Sequence, residues 1–290
     1  MPRLRPVTAT DQPLNRLGLW VVLGASMVVV LDFSIVNVAL PELSTELGLP
    51  TTTAEWVVTA YALTFGGLLI LGGRAADYFG HRRLLIAGLA VFAFASAAGG
   101  VAPDFALLVA ARALQGAAAA LVAPAALSTL TTTYPEGPAR NRVLGYFGVT
   151  ASVGFVVGLV AGGVLVDTVG WRGVFFVNVP VCLVMAIAAR TSIPTGGRAA
   201  TRPPRFDVAG AALGGLGMAA LVYAPTLAAD GGWVSVEFLG CLFLSAALIY
   251  AFVQVERRTA QPLVPLSIFR HRSLVVGDVL IGLVGAWVAS

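Results

Sequence analysis

Apolar runs of about 20 residues recur along nearly the whole chain, divided by short breaks that carry its Arg residues, and few folds accept such a pattern. The runs lie at approximately 17–40, 54–73, 84–103, 105–132, 141–166, 171–190, 207–229, 233–255 and 273–290. Each is long enough to cross a bilayer as a helix, which satisfies its backbone N–H and C=O groups internally where no water can. The expected fold class is therefore all-α, a polytopic membrane protein of about nine spans. Composition agrees: 58% of residues are hydrophobic and 11% charged, against about 25% charged in a typical soluble domain. A water-soluble globule of 290 residues has no interior large enough for that apolar surface.

All 18 basic residues are Arg. Without Lys there is neither a phosphate-binding Gly-x-x-x-x-Gly-Lys-Ser/Thr loop nor a Schiff-base amine, which argues against an ATP-driven pump subunit. Arg3, Arg5 and Arg16 precede the first run, and Arg74, Arg82 and Arg83 follow the second. On the same side come Arg140 and Arg142, then Arg190, Arg198, Arg202 and Arg205, then Arg257, Arg258, Arg270 and Arg272. Only Arg172 falls on the other side, and Arg112 lies within a run. Such a bias places the N-terminus in the cytoplasm and the chain in the cell membrane as a multi-pass protein. The pI of about 9.5 follows from these helix-end Arg residues, so no nucleic-acid partner is implied. The first apolar run lacks a small-x-small cleavage site and reads as an uncleaved helix. Cys182 and Cys241 stand alone in apolar runs, and His81 and His271 sit in breaks without other ligands. No metal set, nucleophile–base pair or cofactor motif emerges, and no enzyme is expected.

The break after the second run reads Gly73-Arg74-Ala75-Ala76-Asp77-Tyr78-Phe79-Gly80-His81-Arg82-Arg83. It looks like a tight, charged loop bracketed by Gly73 and Gly80. It resembles the loop between helices 2 and 3 of the major facilitator superfamily of secondary transporters, Gly-x-Leu-Ala-Asp-Arg-x-Gly-Arg-Arg-Arg. Gly73, Asp77, Gly80, Arg82 and Arg83 stand in register, while Ala75, Tyr78 and His81 depart. The resemblance implies a conformational-switch loop at the cytoplasmic face.

Helix 1 carries Leu31-Asp32-Phe33-Ser34-Ile35-Val36-Asn37-Val38-Ala39-Leu40-Pro41. This is similar to the Leu-Asp-x-Thr-Ile-Val-Asn-Val-Ala-Leu-Pro sequence of the fourteen-helix drug:proton antiporter branch. A carboxylate within a span costs about 2.5–3.5 kcal/mol or more and normally faces a cavity or a partner. Burial also favours the protonated form of a carboxylate, which suits proton exchange. Asp32 lies nine residues before Pro41, about 13 Å from an outer end placed there. Helix 4 carries Arg112-Ala113-Leu114-Gln115-Gly116-Ala117-Ala118, resembling the Arg-x-x-Gln-Gly-x-Gly motif of the superfamily with Ala118 for its second Gly. Arg112 lies nine residues past Pro103, again about 13 Å deep. Asp32 and Arg112 are thus candidates for one pair, either a structural ion pair or, with Gln115, a proton-coupling and substrate site.

In helix 5, Gly154, Gly158, Gly162 and Gly163 keep the glycine ladder of the branch's Gly-x-x-x-Gly-Pro-x-x-Gly-Gly motif. They are expected to pack against a neighbouring helix. Leu159 takes the place of the motif's Pro, removing the residue that would kink the helix. Trp171-Arg172-Gly173 through Asn178 and Pro180 resembles the opening of helix 6 and reads as an interfacial anchor. Asp207 at the start of the seventh run is expected to favour the helix dipole, and Glu237 to reach water. Asp278, early in the last run, remains a lesser candidate for coupling.

The expected organisation is a six-helix bundle at 1–190, a cytoplasmic linker at 191–206 rich in Pro, Gly and Arg, and two added helices at 207–255. Residues 256–290 would hold a cytoplasmic segment and the first helix of an incomplete second bundle. The resemblance implies a transporter exporting drug-like or other amphipathic molecules in exchange for protons by alternating access, with the bilayer, substrate and protons as partners. The alternative is a non-transporting fragment or accessory membrane domain of such a transporter.

Overall fold

The structure, a computed structural model, describes residues 14–194 and 208–259. Arg3, Arg5, Asp207, most of the linker, the ninth span, His271 and Asp278 lie outside the described residues. Ten helices follow in order: α1 (Arg16–Glu46), α2 (Thr51–Ala54), α3 (Trp56–Phe79), α4 (His81–Gly100), α5 (Phe105–Thr133), α6 (Pro138–Val169), α7 (Gly173–Phe176), α8 (Asn178–Ser192), α9 (Val208–Gly231) and α10 (Val236–Arg258). With α2 continuing into α3 and α7 into α8, they make eight elements long and apolar enough to cross a membrane. No strand occurs among the described residues. Asn15, Asp104 and Ser235 start α1, α5 and α10 by accepting a backbone N–H with their side chains. Gly170, with φ 85°, ends α6.

Two expectations drawn from turn-forming residues are corrected. The stretch from Gly73 to Arg83 is not a loop. α3 continues to Phe79 and α4 begins at His81, so Gly80 alone joins them. Ala75 and Ala76 are strong helix formers, and Ala76 is buried in the core, so the helix persists past Gly73. Only Gly80, with φ +90°, reverses the chain. Likewise Pro41 does not end the first span, because α1 runs on for five residues to Glu46. A proline inside such a helix removes one backbone bond and is tolerated where neighbours support it.

Helix pairs rather than sheets organise the molecule. α1 packs on α6, α5 lies between α3 and α4, α8 seats against α4 and α1, and α9 bridges α3 to α10. Small residues set the closest approaches. A Cβ on Gly154 would sit 3.0 Å from the Met27 carbonyl oxygen. On Gly158 it would run into Ser34 Oγ and lie 2.7 Å from the Leu31 carbonyl oxygen, and on Gly162 it would lie 3.2 Å from that of Ile35. The α1–α6 seam thus has helix backbones nearly touching. Gly163 does not belong to it. One residue on from Gly162 it points about 100° around the helix, where a Cβ meets nothing within 4 Å. The face of α6 bearing Val149, Val156, Val160 and Val164 is exposed and mostly apolar, with Ser152 as a small polar exception, a surface that suits lipid or further helices better than water.

Replacing Gly158 by Leu is expected to prise α1 from α6 and lower the melting temperature in detergent, with a loss of about 1–3 kcal/mol or more. Gly163→Ala should be neutral or stabilising, since Ala favours helix by about 1 kcal/mol over Gly. Equal effects at the two positions would contradict this seam.

Candidate functional site

The core falls into two apolar clusters with a polar layer between them. One cluster runs through Val29 of α1, Tyr61 of α3, Ala93 of α4, Ala118 of α5 and Cys182 of α8. The other holds Ile35 of α1, Val57 of α3, Leu108 of α5 and Val174 and Phe175 of α7, with Ala102 just past α4. Along the chain, Asp32, Ser96, Arg112 with Gln115, and Asn178 fall between those levels, and all five side chains are buried.

Asp32 and Arg112 are each 0% exposed, and Arg112 Nη1 donates to Asp32 Oδ2 at 2.6 Å. The other carboxylate oxygen, Oδ1, accepts from Asn178 Nδ2 at 2.7 Å and from Gln115 Nε2 at 3.1 Å. Gln115 is held at both ends: Nε2 also donates to Ser96 Oγ at 2.7 Å, and Oε1 accepts from Arg112 Nη1 at 3.0 Å. Arg112 Nε donates to the Val57 carbonyl at 3.0 Å, and the guanidinium lies 4.4 Å from the centre of the Tyr61 ring. The Tyr61 hydroxyl in turn donates to the Val29 carbonyl at 3.2 Å. Arg112 Nη2 is buried without a hydrogen-bond partner.

The structure therefore brings Asp32, Arg112 and Gln115 together. Arg112 and Gln115 share one face of α5 because they are three residues apart. The equal-depth argument that linked Asp32 to Arg112 does not describe these helices. Asp32 lies fourteen residues from the end of α1 and Arg112 seven from the start of α5, about 21 and 10 Å respectively. α1 overhangs its neighbour, and the two side chains meet all the same. Asn178, Ser96 and Tyr61 were not foreseen. Asn178 carries a faint signal, a lone amide between Val177 and Val179; Ser96, in an Ala-rich run, carries none.

The remaining sequence candidates sit elsewhere. Gly73 and Asp77 lie in the last two turns of α3, with Asp77 exposed, and Arg82 and Arg83 in the first turn of α4. Arg82 donates to the backbone carbonyl of Arg190 at the end of α8, where a cation complements the helix dipole. This end also carries Arg16, Arg140, Arg142, Arg257 and Arg258. At the opposite end Trp171 is not an interfacial ring: it is 1% exposed and donates from Nε1 to Glu46 Oε2 at 2.9 Å. Arg172 pairs with the same carboxylate and stacks on Trp171 at 4.2 Å. The overhang of α1 supplies the exposed Glu46 carboxylate for the N–H, while the indole ring packs into the apolar cluster beside Phe175. Glu237 occupies the first turn of α10 beside the Ser235 cap.

Residues 22–289 match the Major Facilitator Superfamily profile. The chain belongs to this superfamily. It is 44% identical over 273 residues to a puromycin resistance protein of Streptomyces alboniger, covering 92% of this chain and 54% of the relative. It is 41% identical to a cephamycin export protein of Amycolatopsis lactamdurans, over 90% of this chain and 54% of that one. With a tetracenomycin C resistance and export protein of Streptomyces glaucescens the identity is 37%, over 88% and 47%. The chain thus spans about half the length of these relatives. Among solved structures, the peptide transporter POT in complex with sulfate superposes with a TM-score of 0.62 at 17% identity, over 84% of this chain and 53% of that one. That likeness concerns the fold. Superfamily membership and eight apolar membrane-length helices make this a multi-pass membrane protein.

Arg112→Ala leaves a buried carboxylate without its cation and is expected to destabilise the chain by roughly 3–5 kcal/mol. Combining it with Asp32→Asn should lose less than the sum of the single changes, because the second removes the charge stranded by the first. Thermal unfolding of the four proteins in one detergent measures this, and strictly additive losses would contradict the pairing.

Proposed function

We propose that this chain is part of a secondary active transporter that exports drug-like or other amphipathic small molecules by alternating access, driven by proton entry. The observation that carries the reading is a carboxylate buried in a membrane-spanning core, held by one cation and two amides. Ionisable residues at membrane depth mark ion and substrate pathways by default. The export and resistance names of the relatives support the direction and the class of substrate.

In this mechanism, Asp32 is the proton acceptor and Arg112 its counter-ion. A proton arriving at Asp32 cancels its charge and weakens the grip of the Arg112 guanidinium, loosening the tie between α1 and α5. A cationic substrate group could take the place of the proton in the opposite half of the cycle. One charge moving down 100 mV supplies about 2.3 kcal/mol, enough for roughly 50-fold accumulation. Gly73, Asp77, Gly80, Arg82 and Arg83 serve as the conformational switch at the cytoplasmic end, with Arg82 tying α4 to the terminus of α8. The orientation follows from the Arg-rich end.

The test uses the gene product that carries this sequence at the length of its relatives, reconstituted in proteoliposomes. An imposed pH gradient should drive flux of a cationic dye, and Asp32→Asn should abolish that flux while expression and membrane insertion persist, with a lowered melting temperature because Arg112 loses its counter-ion. Undiminished gradient-driven flux in Asp32→Asn would remove Asp32 as the proton site. Orientation has its own measurement in a background lacking Cys182 and Cys241. A thiol at position 136 should react with an impermeant reagent only from the cytoplasm, and one at position 52 only from outside. The reverse pattern would invert the topology.

A further inference from the structure

Asp32 is surrounded by donors. An ionised carboxylate is an acceptor only and suits three N–H groups, but a protonated carboxyl carries an O–H that must itself donate. A proton placed on Oδ1 would face the N–H groups of both Asn178 and Gln115. One amide has to turn and offer its carbonyl, because an unsatisfied buried polar group costs about 1–3 kcal/mol.

The two amides are not equally free to do so. Gln115 cannot turn without setting its NH2 against Arg112 Nη1 and losing that bond, since Arg has donors only, although the Ser96 hydroxyl could reverse its own. Asn178 has only one cross-helix bond, the one to Asp32, and its second contact is a long 3.4 Å bond to the Val174 carbonyl of the preceding turn. The side-chain carbonyl of Asn178 takes part in none of these bonds. No other group around Asp32 is placed to accept from it: Arg112 has donors only, the Tyr61 hydroxyl bonds Val29 and makes no hydrogen bond to Asp32, and Cys182 is a weak acceptor. α4 adds Ser96, and α6 meets α1 through glycines.

We propose that Asn178 is a positioning residue for the proton site. Its N–H holds the ionised Asp32, and its amide turns over to accept the hydrogen bond of the protonated Asp32, so that one side chain serves both charge states. The proposal rests on Asp32 being the proton acceptor. The balance is simple: one proton adds to Asp32 Oδ1, no covalent bond breaks, and a half-turn about the terminal torsion of Asn178 exchanges donor for acceptor.

Infrared difference spectroscopy of the purified 290-residue chain in lipid nanodiscs, titrated from alkaline to acid pH, reads the carboxyl directly. The Asp32→Asn variant assigns the carbonyl-stretch band that belongs to Asp32. In the wild type that band should fall in the hydrogen-bonded range. In Asn178→Leu, which keeps the volume and removes both functions, it should move to higher wavenumber. Asn178→Ser, able to donate and accept, should move it less, and it also supplies the comparison if the Leu variant does not insert. A band present in the wild type and unmoved in the Asn178 variants overturns the proposal and leaves Asp32 as the proton site. The absence of any titrating Asp32 band in the wild type overturns the proton site itself, and this proposal with it.

Discussion

A carboxylate and a guanidinium in contact at the centre of a membrane-spanning bundle constrain almost everything around them. Removing each ion from water costs several kcal/mol, and attraction between them offsets this only when the remaining hydrogen-bonding capacity is met. That capacity explains the composition of the layer. Asn178, Gln115 and Ser96 are the polar partners that a short Asp and a long Arg need at one level. The backbone of α3 gives up the Val57 carbonyl to Arg112, and the Tyr61 ring covers its guanidinium. Apolar clusters above and below keep the layer dry, so the pair acts at low dielectric.

The small residues follow from the same requirement. Asp reaches only a few ångströms from its helix, so α1, α5 and α8 must come close to share one carboxylate. Gly116, next to Gln115, lies so near the Tyr61 carbonyl that no side chain fits there. On the far side of α1, Gly158 approaches the turn that contains Leu31 and Ser34, flanking Asp32. The first seam seats α5, which carries Arg112, on α3, and the second seats α1, which carries the acid, on α6, so loosening either would shift one partner from the other.

Much of this was legible in the sequence because its signals are local. The apolar runs located the eight described spans to within six residues at every end, and the depth of Asp32 and Arg112 marked them as residues in need of partners. What was missed depends on tertiary context. Gly73 and Pro41 carry the marks of a break, yet core contacts at Ala76 and the overhang of α1 carry the helices through them. Gly162 and Gly163 look alike in a motif, and only helical register separates the buried one from the open one. Asn178 and Trp171 belong to a segment that reads as an interfacial anchor. Tertiary packing buries both: Asn178 meets the buried Asp32 of α1, and the Trp171 ring enters the apolar cluster while its N–H reaches Glu46.

One contact far from the polar layer bears on how such a molecule sits in lipid. Gly67 of α3 and Gly215 of α9 meet backbone to backbone: a Cβ on Gly215 would lie 2.5 Å from the Gly67 oxygen. The Trp56 and Tyr223 rings meet along the same line, tilted, with centroids 5.6 Å apart. With the two backbones this close at one point, a tilt of α3 would carry α9, and α10 behind it, through the surrounding bilayer. Such a sweep would displace lipid and couple the free energy of helix tilting to the thickness of the membrane around it.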